Sequence, residues 1–431
     1  MWIRLRFDIG SGDILTGMLA CCTPLRRQVL EQEAESHWSH DGRAVVCLSV
    51  RSGFDLLLSV LRLPPKSEVL LSAVTVPDMQ RIVRHHGLVP LPIDLIPDGC
   101  TPSLESMQRA VTPSTRVLVI AHLFGTRVNM EAILQVARRH NLFVIEDCAQ
   151  AYHGSEYRGH PESDASLFSF GPIKTATALG GGVICLQSAQ LAQRLRATQH
   201  SYDVQSRRSY FVRLAKYALF RTLALRPPIE LIARSCRLLG VDLDMLVAGA
   251  ARNFPSADLL RHLRKQPSAP LLKMLLRRWR GYDPQRLQRR VELGKELEVQ
   301  LPDPLLLDNR QVTANNYWVF PVLVDDPIGI VNSMRSRGWD ATRRSRLCVM
   351  APPANRMDLE PKNATSTMAR TVFLPCYPEI PPRVLACMAK LLREKRQSVT
   401  PSVTPESAET AQLAAPISTP HGTSSVGPVA H

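Results

Sequence analysis

Residues 141–185, NLFVIEDCAQAYHGSEYRGHPESDASLFSFGPIKTATALGGGVIC, constrain the fold more than any other stretch of this chain. Leu142 to Ile145 is a short apolar run of the kind a covered parallel strand needs. Glu146-Asp147 follows at its carboxyl end, where open α/β sheets place ligand groups. A second apolar stretch, Ala165 to Phe170, runs into Gly171-Pro172-Ile173-Lys174, and Gly181-Gly182 leads into another strand, Val183 to Leu186. Lys174 is therefore expected on a loop between two strands. Upstream, the strand-like Ala44 to Val50 precedes Arg51-Ser52-Gly53 and the helical run Phe54 to Leu61. Val117 to Ile120 reads as a strand, and Met130 to His140 as a helix with Ile133, Val136 and Ala137 on one face.

This alternation predicts an α/β protein whose mostly parallel central sheet is flanked by helices, and 431 residues leave room for a second, smaller domain. Residues 1–40 are expected to form an N-terminal arm and 41–204 the large domain. Residues 205–267 read as a basic helical insertion. Residues 268–396 should hold a connecting helix, through Leu271 to Leu276 and Leu287 to Leu297, and a small C-terminal α/β domain. There Tyr317 to Val324, Ile328 to Arg337, Val372 to Leu374 and Val384 to Leu392 give strand, helix, strand and helix. Residues 397–431 are rich in Ser, Thr, Pro and Ala without apolar periodicity and are expected to be disordered.

Taken singly, Asp147 reads as a turn or cap residue and Lys174 as a solvated charge. Together they meet the two demands of pyridoxal phosphate: a lysine amine to hold the cofactor as a Schiff base, and a carboxylate to keep its pyridine nitrogen protonated. A phosphate also needs hydroxyls and free backbone N–H groups, commonly at a helix N-terminus. Arg51-Ser52-Gly53 and Ser169 qualify.

The ordered set resembles the DegT/DnrJ/EryC1/StrS family of sugar aminotransferases, which have the fold of type I pyridoxal-phosphate enzymes. Matching pieces run in family order from Arg51-Ser52-Gly53 through Ala121-His122-Leu123-Phe124-Gly125 to Glu146-Asp147-Cys148-Ala149-Gln150. Then come Asp164, Phe168-Ser169-Phe170 with Lys174, Gly181-Gly182, and Leu374-Pro375-Cys376-Tyr377-Pro378. The resemblance implies pyridoxal 5'-phosphate as cofactor, Lys174 as the Schiff-base lysine and Asp147 as the pyridine partner. It also implies Gln150 near the cofactor ring oxygen, and Ser169 with Ser52 and Gly53 around the phosphate. A homodimer is implied as well. Phe54 stands where the family usually has Thr, and Val76 where many members stack an aromatic ring on the cofactor. Gly180 replaces the usual Glu. The Asn-Tyr-Arg segment has Arg252-Asn253-Phe254 as its nearest counterpart, and Arg343-Arg344-Ser345-Arg346-Leu347-Cys348 replaces a histidine-containing substrate loop. Members that dehydrate a sugar carry histidine at the lysine position, so Lys174 implies transamination. An amino acid donor, usually glutamate, would aminate a keto sugar, nucleotide-activated by family habit, for surface glycan or secondary-metabolite synthesis. A non-catalytic binding module on the same fold, or dehydratase chemistry, are the alternatives.

Composition narrows the rest. The ten cysteines show no C-x-x-C or metal-like Cys/His spacing, so no metal site is expected and reduced, cytoplasmic thiols are the simpler account. Asp8 and Asp13 interrupt any apolar core near the N-terminus, against a signal peptide, and no stretch reaches the ~20 apolar residues of a membrane span. Of the net charge of +15, +13 falls between Ser201 and Arg290, where sixteen Arg and three Lys face six acidic residues. Two readings of 205–267 stay open: a helical hairpin packed on its own protein, or peripheral contact with an anionic membrane surface. No nucleic-acid-binding motif appears, and no nucleic acid partner is expected. His122, His153 and His160 are candidates for approaching the site, or for structural hydrogen bonding.

Overall fold

Strands β1 (Ala44–Cys47), β2 (Glu68–Ser72), β3 (Val89–Ile93), β4 (Thr115–Ala121), β5 (Phe143–Asp147), β6 (Ala165–Ser169) and β7 (Gly182–Leu186) build one sheet in the order β1-β7-β6-β5-β4-β2-β3. The computed structural model in which they are seen describes residues 2, 7–154, 156–223, 258–343 and 346–397. From β6 to β3 every neighbour is parallel, and β7 runs antiparallel to both β6 and β1. Parallel pairing requires crossovers, and their helices cover both faces, so each strand is apolar on both sides. Alternate residues accordingly enter different cores: Val117 and Val119 of β4 lie in one, Leu118 and Ile120 in the other.

Helices α3 (Val50–Leu61), α4 (Pro77–His85) and α6 (Ala189–His200) cover the first face. The second is covered at the β3 end by α5 (Glu131–Arg139). At the β1 end it is covered by α1 (Ser11–Cys22), α2 (Arg27–Trp38), α7 (Arg207–Leu223) and α8 (Ala269–Arg280).

Three boundaries differ from the sequence expectation. Residues 11–38 are not an arm: α1 and α2 bury Ile14, Ala34 and Trp38, and Gly17 lets α1 close onto its neighbours, since a Cβ there would lie 2.4 Å from Met274 and 3.1 Å from Leu214. Leu271, Leu272 and Leu275 of α8 are wholly buried in the same core, so α8 belongs to the large domain. The connector is α9 (Pro284–Gln300) alone, whose first turn is capped by Asp283, accepting the Gln285 N–H at 2.9 Å. The described part of the basic segment is likewise packed on its own chain. Tyr210, Leu214 and Tyr217 of α7, spaced i, i+4, i+7, are buried, and the Tyr210 hydroxyl donates to the Ala178 carbonyl at 2.7 Å. Residues 224–257, including Arg252-Asn253-Phe254, and the tail from 398 lie outside the described residues.

The small domain pairs β8 (Phe320–Leu323) antiparallel with β9 (Thr371–Leu374), with α9, α10 (Pro327–Ser336) and α11 (Pro382–Gln397) around a core of Leu293, Leu297, Val322, Met334, Val372 and Leu385. Among the described residues no helix is long and apolar enough to cross a membrane.

Candidate active site

The last two residues of β5 have opposite surroundings, as strand geometry requires. Glu146 is fully buried. Its carboxylate accepts from His122 Nε2 at 2.8 Å, the His160 N–H at 2.7 Å, Ser166 Oγ at 3.2 Å and the Tyr157 hydroxyl. The Val128 N–H donates to His122 Nδ1 at 3.0 Å, so the imidazole proton must sit on Nε2, facing Glu146. Burial alone would raise the Glu146 pKa, but His122 and the other donors outweigh it and hold the carboxyl at about 2.

Asp147 keeps some exposure at the sheet's carboxyl edge. Its Oδ1 accepts the Ala149 N–H at 3.0 Å, and its Oδ2 has no hydrogen-bond partner among the described residues. Burial raises its pKa, against the Ala149 N–H and the charge of Lys174.

Lys174 follows β6 on a loop folded back against itself. The Thr177 hydroxyl donates to the Phe170 and Gly171 carbonyls, and Ala176 and Leu179 take left-handed φ of 52° and 59° without being glycine. Such strain costs about 1 kcal/mol or more per residue and persists only where surroundings enforce it. Here Asp8 accepts the Ala176 N–H at 2.9 Å and Arg278 donates to the Thr177 carbonyl at 3.1 Å. Burial lowers the Lys174 amine to about 8, with Arg51 and Arg346 pushing the same way against Asp147. The amine borders a cleft of about 680 Å³ whose lining includes Tyr282, Arg286, Arg290, Trp318 and Glu379. Asp147 does not line that cleft and is linked to Lys174 by its charge.

The third component is the start of α3. Ser49 caps it, its Oγ accepting the Ser52 N–H at 3.1 Å and meeting Ser52 Oγ at 2.9 Å. Ser169 pairs with Gly182 across β6 and β7, and a Cβ on Gly182 would lie 2.7 Å from Ser49 C and Val50 N. Glycine there brings the Ser169 end of β6 and the α3 N-terminus together. This cradle of hydroxyls and orphan N–H groups beside Arg51 fits a phosphate. An unpartnered Asp147 oxygen and a lysine of lowered pKa near it fit the remainder of pyridoxal phosphate.

Residues 26–219 match the model of the DegT/DnrJ/EryC1/StrS aminotransferase family. Over that span the chain resembles this family. A dTDP-3-amino-3,4,6-trideoxy-alpha-D-glucose transaminase of Streptomyces venezuelae is 36% identical over 156 residues, 35% of this chain and 41% of that relative. The chain thus matches less than half the length of that curated relative. The fold extends further than the sequence match. The aminotransferase TlmJ from Streptoalloteichus hindustanus superposes with a TM-score of 0.66 at 16% identity, over 93% of this chain and all of that one. NtdA from Bacillus subtilis, solved with bound cofactor PMP, gives 0.65 at 16% identity over 90% and 83%.

Within the family pattern, Gln150 Oε1 accepts the Phe124 N–H at 2.7 Å, and its Nε2 has no partner among the described residues. Phe54 is wholly buried in the core beneath the α3 turn, so its side chain contributes packing where a hydroxyl was the family habit. Val76 is half-buried at the start of α4, against the same core. Gly180 leaves room for Arg213 of α7, which a Cβ would approach to 3.0 Å. Cys348-Val349 pairs with Val74-Thr75, bringing the arginine-rich segment beside α4; Arg343 and Arg346 are exposed, and Arg344 and Ser345 lie outside the described residues. His122 is structural, and His160 meets Glu146 through its backbone. His153 Nδ1 meets the Ala151 carbonyl.

The sequence pattern takes Tyr317 to Val324 as one strand and misses the turn over residues 316–319, which follows the strand Val312–Asn315. The strand begins only at Phe320, Tyr317 has φ of 49°, and Trp318 lies against Lys174. The Asn315-Asn316 pair was the available turn signal.

Proposed function

We propose that this chain is a pyridoxal-phosphate-dependent aminotransferase that moves an amine from an amino acid donor such as L-glutamate to a keto sugar, nucleotide-activated, in amino-sugar biosynthesis. The observation that carries this reading is Lys174, lowered to about 8 and under the charge of Asp147, at the carboxyl edge of the sheet. Bound there, the cofactor would supply an electron sink conjugated to the substrate nitrogen. Asp147 Oδ2 would hold the pyridine N–H, and burial strengthens that charged contact. Ser52, Ser169 and the α3 N–H groups would hold the phosphate, and Gln150 Nε2 would donate to the ring oxygen. Lys174, freed by the donor, would act as a base on the donor Cα–H. A pKa of about 8 leaves roughly a tenth of the amine neutral at pH 7. Arg286 and Arg290 in the cleft are suited to carboxylate or phosphate groups of substrates. We further propose a homodimer in the cytoplasm, which sedimentation of the purified protein would check.

The absorption spectrum with pyridoxal phosphate, before and after L-glutamate, tests the reading beside Lys174→Ala. Conversion to the pyridoxamine form, absent from the variant, supports it. Failure to bind cofactor, or covalent attachment without Lys174, sinks it in favour of a binding module. Keto product without glutamate consumption points to dehydratase chemistry instead.

A further inference from the structure

We propose that Trp318 is a positioning residue that holds the Lys174 amine whenever the amine is not engaged with the cofactor, an inference that rests on Lys174 being the cofactor lysine. The amine nitrogen lies 4.1 Å from the indole centroid, within the distance at which an ammonium is attracted to an aromatic face.

The ring is fixed from several sides. Its Nε1–H donates to the Ile173 carbonyl at 2.8 Å, so the indole is tied to the residue that precedes the lysine. The Trp318 N–H donates to Asn316 Oδ1 at 2.8 Å, and Asn316 Nδ2 reaches the Gln150 and Tyr152 carbonyls at 3.1 and 3.0 Å. Arg290 Nε donates to the Asn316 carbonyl at 2.7 Å. Gly125, with φ of 104°, lies against this turn; a Cβ there would sit 2.3 Å from Asn316 Oδ1 and 2.6 Å from the Trp318 nitrogen. The indole therefore comes from the chain leading into β8 and is locked to both the lysine loop and the loop after Asp147.

Chemically, an aromatic face suits an amine that must be released, kept near and deprotonated. A carboxylate partner would keep the lysine charged and would take Asp147 away from the pyridine nitrogen. The indole face attracts the ammonium weakly, excludes water, and can still accept an N–H from the neutral amine. Trp318 thus keeps Lys174 at the cleft without fixing its proton.

The test uses the cofactor-free full-length protein. Labelling of Lys174 by trinitrobenzenesulfonate is followed across pH by mass spectrometry of its peptide, in the wild type, Trp318→Phe and Trp318→Leu. Phenylalanine keeps an aromatic face and loses the bond to Ile173; leucine keeps apolar bulk and loses the face. Trp318→Met, more adaptable in shape, replaces leucine if that variant does not fold. The expected result is an amine of lower pKa in the Leu variant, labelled about three- to ten-fold faster at pH 7, with Phe within about two-fold of wild type. Coincident profiles for all three proteins, or equal shifts in Phe and Leu, overturn the role of the face. Borohydride reduction of the cofactor-loaded wild type separates the two readings. Label trapped on another residue overturns the cofactor-lysine assignment and this inference with it; label on Lys174 with coincident profiles overturns this inference alone.

Discussion

Glu146 and Asp147 are neighbours in sequence with opposite tasks, one locked in a buried network and the other left with an open oxygen. Glu146→Gln removes the charge that four donors face and is expected to destabilise the protein by about 2–4 kcal/mol in urea unfolding. Its folded pKa, about 2, lies below the ordinary 4.5. The network's contribution is therefore complete above about pH 4.5 and is lost as pH falls toward 2. Acid unfolding that starts at the same pH in wild type and Glu146→Gln would refute this. Lys174 has the opposite sign for a cation. Its pKa is lowered from 10.5 to about 8, so the unfolded chain binds more protons between those values and stability attributable to it rises with pH there. Lys174→Met is expected to stabilise the cofactor-free protein at pH 7 by about 1 kcal/mol, read as a higher Tm. The two acids and the lysine were legible because strand periodicity and turn chemistry locate them. Whether Glu146 would be buried or presented was not, because that depends on the network formed by His122, Tyr157 and Ser166.

Among elements, the contact of α3 with β7 shapes the proposed phosphate cradle. Gly182→Ala would set a Cβ 2.7 Å from backbone atoms of Ser49 and Val50, which cannot rotate away. A loss of about 1–3 kcal/mol is expected, together with weaker uptake of pyridoxal phosphate by spectroscopic titration. Gly12→Ala in α1, with nothing within 4 Å, is the control and should be neutral or stabilising. The Gly pair was visible as a lead into a strand, but its reason was not. Gly181 needs φ of 90°, whereas Gly182 needs the absence of a side chain between two elements. In α7 the arginines and apolar residues leave two helix faces equally plausible in sequence. The acceptor at Ala178 and the cavity for Tyr210 decide which is buried.

At the scale of the molecule, the turn before β8 ties the chain entering the small domain to the loops after β5 and β6. Asn316→Ala removes the Nδ2 contacts to Gln150 and Tyr152 and the acceptor for the Trp318 N–H. About 2–3 kcal/mol of local stability should be lost. Native-state hydrogen exchange should then quicken at Trp318, while exchange in β4 and β5 stays at its global rate. Sequence alone determined the α/β class, the parallel sheet, the strand end at Asp147 and the inter-strand loop of Lys174, because side-chain periodicity and strand ends are local properties of a chain. It also indicated a second domain through the return of strand-helix alternation after residue 310. Only the tertiary structure decided that residues 11–38 and α8 complete the large domain, that Gly182 lies against Ser49 and Val50, and that Trp318 lies on Lys174. These are contacts between residues up to hundreds of positions apart, fixed by packing rather than by any local pattern.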